Sequence, residues 1–465
     1  MRTEVVIASA LLLAGCLSTS TRGAVNRDLE ARLGRTVTFR DPDSDDRTQA
    51  TARRLLREPL TAEAAVEITL LQSPALQASL EELDVALADV LRASLVANPE
   101  VELEASVPLE GNDGPDLMGS FMFDVADAVR LPLRRAVADA ELSAARAEAA
   151  KAVLDAAFSA RTAFYRHQSD LQLVELFQQV VETLRAAWET AAALREAGNV
   201  ARLDVVQQRA LYEEARVALA QAELAALQSR ERLQVVMGLS GDDTAWEIRS
   251  RLDEPTDAEV DLETVERVAI DRSLALERGR HELEALARRV GLARLEGVIP
   301  ELHAGVVVER EEGEWSAGPM IEMQLPLFHQ GQGDIDRVSA QLRVGQHRYV
   351  ARAVQIRSSV RRARNAYLNA LARAEFYRDT LLPVRDEVME QSLLQYNAMN
   401  LGVFELITAR RMLIDTARMY VEALRDYWVA RAALEQILAG GEPEMTDRAS
   451  IPSMSASQGP AEGGH

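Results

Sequence analysis

The chain has a single cysteine, so it cannot form an internal disulfide. Its six histidines are scattered and show none of the CxxC, HExxH or HxxxH spacings that metal sites use. We therefore expect no metal site and no cofactor held by protein side chains.

Positive charge is scarce, with 52 Lys and Arg against 73 Asp and Glu and a net charge of −21. This balance of charge does not indicate the basic patch that a nucleic-acid-binding surface needs. Aromatic residues make up only 5% of a chain that is 48% hydrophobic, and much of the apolar content is alanine and leucine, which favours long helices. Paired carboxylates such as Asp242-Asp243 lie in predicted turns and read as solvated charge, so no enzyme is indicated.

Long apolar runs are absent, and the run over residues 5–13 is too short to span a bilayer. It ends in Leu13-Ala14-Gly15-Cys16, which predicts a signal peptide (1–15) cleaved before Cys16 and a covalent lipid on that cysteine. The alternative is a core helix with an incidental cysteine. Leu17 after Cys16 resembles bacterial lipoproteins sent to the outer membrane. We read residues 16–59 as a tether, and any further membrane contact must use strands.

The rest of the chain is an internal repeat with an offset of about 200 residues. It predicts a first repeat over 60–240, a second over 241–440, and a disordered tail over 441–465. The second half carries about seven extra residues after its Leu-Pro-Leu segment. The matching segments are Ser73 with Ser273, Asn98-Pro99-Glu100 with Ile299-Pro300-Glu301, Leu131-Pro132-Leu133 with Leu325-Pro326-Leu327, and Ala197-Gly198-Asn199 with Ala398-Met399-Asn400.

Each half is predicted to run helix, strand, strand, long helix, helix. In the first half residues 133–197 lack Gly and Pro and form the long helix, flanked by helices over about 61–97 and 202–238. The matching long helix, about 335–398, contains Pro383 and should bend there.

Apolar and polar residues alternate in four segments, which predicts strands over about 101–109, 120–131, 302–310 and 318–327. Their lengths suit tilted transmembrane strands, and the alternative is a pair of surface hairpins. Four strands are too few to close into a barrel, and the unpaired backbone groups at an open sheet edge cannot lie in lipid. A dimer would supply eight strands and a trimer twelve.

These features resemble the TolC type of outer-membrane factor, in its lipid-anchored branch, over about residues 60–440. The resemblance implies a mainly α-helical protein with a membrane β-barrel: a homotrimer with a twelve-stranded barrel in the outer membrane of a Gram-negative bacterium above a twelve-helix periplasmic tunnel. It implies no catalytic activity, and an exit duct that works with a periplasmic adaptor and an inner-membrane pump. The alternative is a lipid-anchored coiled-coil scaffold without a pore. The resemblance rests on the duplicated Asn98-Pro99, on Leu325-Pro326-Leu327-Phe328 with Gln330-Gly331, on the turn Ala197 to Val205, and on Val236-Met237-Gly238-Leu239.

The resemblance also implies site residues at the far end of the long helices. Tyr396 matches the family's gate tyrosine, and Glu405 stands where the family carries an acidic ring. Asp204 matches a gate aspartate, but Leu401 occupies the position of its arginine partner, so the closed state must be held differently. The turns 197–204 and 398–405 are the predicted adaptor contact, exposing Gly198, Asn199, Asn400 and Gly402.

Overall fold

The computed structural model describes residues 22–34, 36–37, 45–106, 116–255, 264–299, 301–311 and 314–442. The predicted signal segment with Cys16, and the predicted tail from residue 443, lie outside the described residues. No helix in these ranges is long and apolar enough to cross a membrane.

The segment predicted as a tether contains two helices, α1 over residues 22–33 and α2 over Asp45–Leu55. Leu29 of α1 is fully buried and packs with Leu80 in the largest apolar cluster. The segment read as a tether thus contains two helices whose apolar residues are covered by the body of the protein.

Two halves follow, and they repeat the predicted order of elements. The first half consists of α3 Ala62–Gln72, α4 Pro74–Ala93, β1 Glu100–Ser106, β2 Asp116–Asp124, α5 Val125–Glu196 and α6 Arg202–Met237. The second half consists of α7 Val265–Arg272, α8 Leu274–Val298, β3 Leu302–Glu311, β4 Glu314–Met323, α9 Gln332–Phe376, α10 Leu382–Asn397 and α11 Val403–Ala439.

The first helix of each half is broken at a serine, where the sequence predicted one continuous helix over 61–97. Ser73 has extended backbone angles, and its side chain accepts a hydrogen bond from the Leu76 N–H, which starts α4. Ser273 does the same for Leu276, at 3.2 Å. Pro74 adds to the first break because its nitrogen has no hydrogen to donate.

The second strand of the first half ends earlier than predicted. β2 stops at Asp124, and residues 125–131 belong to α5, because the Asp124 carboxylate accepts the Asp127 N–H at 2.9 Å and caps the helix. Pro132 therefore lies inside α5. In the second half β4 ends at Met323, not at 327, and the chain needs residues 324–331 to reach α9. The first four residues of the predicted insertion, 328–331, lie in this connector, and in the first half β2 is followed directly by α5.

The four strands form one antiparallel sheet in the order β1-β2-β3-β4. Its centre joins the two halves, since Phe121 of β2 is opposite Val306 of β3. Among the described residues β1 and β4 each pair on one side only, so both outer edges of the sheet are open.

The helices form a wall around α5, whose 72 residues span roughly 108 Å at 1.5 Å per residue. α5 packs against α3, α4, α6, α8 and α11. In the second half the long helix is interrupted by a π turn at Tyr377–Leu381, where the Leu382 N–H bonds to the Tyr377 carbonyl. The irregularity predicted at Pro383 thus takes the form of a π turn just before the proline.

A strap, residues 240–255, crosses one face of this wall. Trp246 lies beside α6, where its carbonyl accepts from Arg230 at 2.8 Å. Gln168 of α5 donates to the Arg251 carbonyl at 2.9 Å, and Trp428 of α11 donates to the Asp253 carbonyl at 2.8 Å. The strap ties three neighbouring helices together.

Candidate functional site

The turn between α5 and α6 is closed by backbone hydrogen bonds. Gly198 has a φ of +80°, which favours glycine, and the Asn199 N–H bonds to the Leu194 carbonyl at 2.9 Å. Asp204 accepts the Ala201 N–H at 3.3 Å and so caps α6. Gly198 and Asn199 are both exposed, as an adaptor contact requires.

The turn between α10 and α11 has the same hydrogen bonding with a different residue at its tightest point. Met399 has a φ of +59°, rare for a residue with a side chain, and is 94% exposed. The Asn400 N–H bonds to the Gln395 carbonyl at 2.9 Å. No local residue pattern singles out Met399; the available signal is the repeat, which aligns it with Gly198.

Gly402 has ordinary extended angles, so its backbone does not require glycine. A Cβ there would lie 2.7 Å from the Oε2 atom of Glu405, whose carboxylate folds back over this position. Glu405 is exposed in the first turn of α11. Gly402 thus leaves room for the carboxylate predicted to form the acidic ring.

The proposed gate residues are not joined by polar contacts within one chain. Tyr396 and Leu401 are half-buried, and among the described residues no hydrogen bond or ion pair links Asp204 to the second turn. The two helical hairpins instead meet through apolar packing above their tips, where Leu184 and Leu211 contact Ile407 and Ile414. Whether these residues act as a gate stays a prediction.

The sheet has one apolar face and one polar face. Leu103 is 83% exposed and Ile321 is 75% exposed, although both are large and apolar. The register puts all alternate residues of the four strands on the same side as these two. The residues of the apolar face are Val101, Leu103, Ala105, Leu117, Gly119, Phe121, Phe123, Leu302, Ala304, Val306, Val308, Trp315, Ala317, Pro319, Ile321 and Met323, with Arg310, over the Trp315 ring, as the charged exception.

The other face of the sheet is strongly acidic, which sequence analysis did not recognise as a site. In the described strands it carries no lysine or arginine, and His303 is its one basic side chain. None of its carboxylates forms an ion pair with another described residue. They are Glu100, Glu102, Glu104, Asp116, Asp124, Glu309, Glu311, Glu314 and Glu322. The alternation of Glu with apolar residues in β1 was the available signal.

Charges on the helical wall are arranged differently, in pairs that join neighbouring helices. Arg278 of α8 bonds to Glu148 of α5 at 2.9 Å, and Arg289 of α8 bonds to Glu141 of α5. Arg161 of α5 bonds to an α11 carboxylate, that of Glu435, at 2.6 Å. These pairs hold the wall together and leave little net charge on it.

One buried titratable group lies where the wall meets the strap. His167 is 1% exposed, its Nδ1 atom is 3.0 Å from the Ser229 hydroxyl, and its Nε2 atom has no partner among the described residues. Burial, with a smaller contribution from the charge of Arg230, lowers the pKa of His167 to about 4. The ring is therefore neutral and structural near pH 7. Across the described ranges no three His, Cys, Asp or Glu side chains are placed to hold a metal ion.

Comparison with known proteins places this geometry in context. The family model for outer membrane efflux proteins matches residues 65–239. The chain is 23% identical over 397 residues to the cobalt-zinc-cadmium resistance protein CzcC of Cupriavidus metallidurans, covering 82% of this chain and 90% of that protein.

Solved structures share the fold. The crystal structure of CusC has a TM-score of 0.68 and 14% identity, covering 82% of this chain and 92% of CusC. The outer membrane protein VceC of Vibrio cholerae has a TM-score of 0.67 and 17% identity, covering 82% of this chain and 96% of VceC.

Proposed function

The chain belongs to the outer membrane efflux protein family, and from that premise we propose that three copies form the exit duct of a tripartite efflux system. A periplasmic adaptor and an inner-membrane pump would feed the duct. The observation that carries this proposal is the sheet, which exposes a continuous apolar face, an acidic face and two open edges.

The open edges require more copies of the chain. In lipid every backbone N–H and C=O must be paired, so a four-stranded sheet can enter a bilayer only if β1 of one copy pairs with β4 of the next. Eight strands give a barrel filled by side chains, whereas twelve leave a channel. The resemblance to TolC-type factors favours twelve. The apolar face would then contact lipid and the acidic face would line water.

The helical wall also has two uncovered sides. Exposed apolar residues lie on α6, including Leu227 at 62% and Val235 at 74% exposure, and on α9, including Val350 at 61% and Val354 at 60%. These helices stand at opposite ends of the order α6, α5, α11, α9. In a ring, α9 of one copy would cover α6 of the next, and a twelve-helix tunnel would result.

The far turns and the amino terminus complete the proposal. Gly198, Asn199, Asn400 and Gly402 would contact the adaptor, because their turns are the exposed tips farthest from the sheet. Three copies of Glu405 would form an acidic ring at the tunnel entrance, with Tyr396 and Asp204 beside it. A lipid on Cys16 would add an outer-membrane anchor.

The cargo we favour is cationic. The acidic sheet face carries nine carboxylates without a paired base, and rings of carboxylates favour cations in channels. A relative at 23% identity is named for cobalt, zinc and cadmium resistance. The porous duct is preferred over the coiled-coil scaffold because a scaffold has no use for an exposed apolar sheet face.

The test combines mass with conductance. Protein extracted in mild detergent should have three times the mass of the mature chain by light scattering, and it should conduct ions across a planar bilayer. A monodisperse monomer without conductance would contradict the duct and support the scaffold.

A further inference from the structure

The helical wall contains a cavity that the proposed transport path does not explain. It has a volume of about 450 Å³ and lies between α5, α6 and α11. Its charged lining consists of Arg166, Asp170, Arg232, Arg425 and Asp426. Three separate helices thus bring three guanidinium groups to one place.

The cavity opens away from the strap. Gln168 and Gln172 of α5 bond to the strap, with distances of 2.9 Å and 3.0 Å to residues 251 and 252. Arg166 and Asp170 each lie two residues before one of these glutamines, about 200° away around the helix. In the trimer proposed above the strap encircles the tunnel and the cavity faces its interior; this orientation rests on the proposed function.

The carboxylates in the cavity do not neutralise its arginines. Asp426 accepts from Arg425 at 2.9 Å and also pairs with Arg373 at 3.5 Å. Neither Arg166 nor Arg232 forms a hydrogen bond or an ion pair with any described residue. Three guanidinium groups and two carboxylates line the cavity, which leaves one positive charge in excess, and Asp426 is shared with Arg373 outside the lining.

The local electrostatics agree with this count. Burial lowers the pKa of Arg166, and the charges of Arg232 and Arg425 lower it further. Burial raises the pKa of Asp170, whose side chain bonds to the Ser229 hydroxyl. An anion in the cavity would offset the mutual repulsion of the arginines and accept hydrogen bonds that they do not make within the chain.

We propose that this cavity binds a small oxyanion, a phosphate or carboxylate group, between Arg166, Arg232 and Arg425. The planar guanidinium matches such groups with two parallel hydrogen bonds. Gln228, which also lines the cavity, adds a neutral donor. Three such sites would form a positive belt halfway along a duct whose outer sheet is acidic, and the counter-ions of a cationic cargo would pause there.

The test is calorimetric titration of the detergent-solubilised full chain with inorganic phosphate and, separately, with acetate, in low-salt buffer. We expect saturable binding of at least one anion, weakened at least tenfold by Arg166→Gln with Arg232→Gln. Arg232→Gln alone, at an exposed position, should weaken binding severalfold without affecting folding. The matched control Arg209→Gln changes an exposed α6 arginine near Glu213 and should leave binding unchanged.

Phosphate binding alone assigns a phosphoryl site and acetate binding alone a carboxylate site. Absence of binding by both anions, or equal affinity in the double variant, overturns the proposal. Light scattering and conductance on the same samples separate this result from the duct: a conducting trimer that binds neither anion refutes only the site, whereas a non-conducting monomer that binds phosphate refutes only the duct.

Discussion

In the described ranges, charged residues are paired on the helical wall and unpaired on the polar face of the strand sheet. On the wall, Arg278 with Glu148 and Arg289 with Glu141 join helices across their seams. On the sheet, Glu102, Glu104 and their neighbours have no basic partner among the described residues. An unpaired carboxylate is costly away from water, so the polar sheet face must be wet. Charge joins the helices of the wall, whereas on the sheet we propose that it lines the path of the cargo.

The largest expected effect comes from putting a charge on the wrong face of the sheet. Leu103→Lys places an ammonium group on the apolar face, at a cost of about 2–4 kcal/mol per chain near the bilayer midplane. We expect loss of inserted trimer in outer-membrane fractions. Glu104→Lys, the adjacent residue on the polar face, is the matched control and should insert. Equal insertion of both variants would remove the distinction between the faces.

A smaller effect is expected at the buried histidine of the wall. Burial lowers the pKa of His167 from 6.5 to about 4 in the folded chain. The contribution of the neutral ring to folding stability is therefore complete above pH 6.5 and is lost as the pH falls towards 4. The loss could reach about 3 kcal/mol. The difference between the thermal unfolding midpoints at pH 7 and pH 4 should be smaller for His167→Gln than for the native chain. The exposed His347→Gln is the control, and an unchanged pH dependence in His167→Gln would contradict the assignment.

At the tunnel entrance the unpaired carboxylate should act on ions rather than on stability. Glu405→Gln should reduce cation preference severalfold at low salt and weaken block by trivalent cations, because three like charges would converge within about a Debye length, 10 Å at 0.1 M salt. Reversal potentials in planar bilayers measure this effect. Identical potentials and block in the variant would place selectivity elsewhere, with the sheet face as the next candidate.

The smallest effect is expected where wall charges are paired and solvent-exposed. Arg289→Gln breaks the pair with Glu141, whose side chains are 48% and 40% exposed. Such pairs contribute below about 1 kcal/mol, so the thermal midpoint should shift little and conductance should not change. A large loss of conductance would show that wall charges also line the path.

Sequence reasoning recovered the long-range plan because the repeat and the periodicities are properties of whole segments. The duplication, the long helix and the strand alternation all reappear in the structure. The errors in the predicted elements lie at their boundaries, because a single capping side chain determines where a helix begins. Asp124 caps α5 and ends β2 early, and Ser73 breaks a helix that periodicity alone would continue.

The candidate sites were harder to foresee. The turn residues were found because glycine and asparagine mark reversals, yet Met399 takes the left-handed position with no local signal. Residues far apart in sequence, such as Arg166, Arg232 and Arg425, meet only through helix packing. Their spacing in the sequence therefore does not predict that they are neighbours in the fold.

Accessibility of single cysteines along β1 tests the central claim most directly. In a Cys16→Ser background, single cysteines are introduced at positions 101, 102, 103 and 104, and outer-membrane vesicles that contain each variant are treated with a water-soluble maleimide. The account predicts rapid labelling at 102 and 104, whose side chains face the aqueous pore, and protection at 101 and 103, whose side chains face lipid. Equal labelling at all four positions, or the reverse pattern, would contradict a sheet with one face in lipid and the other lining a duct.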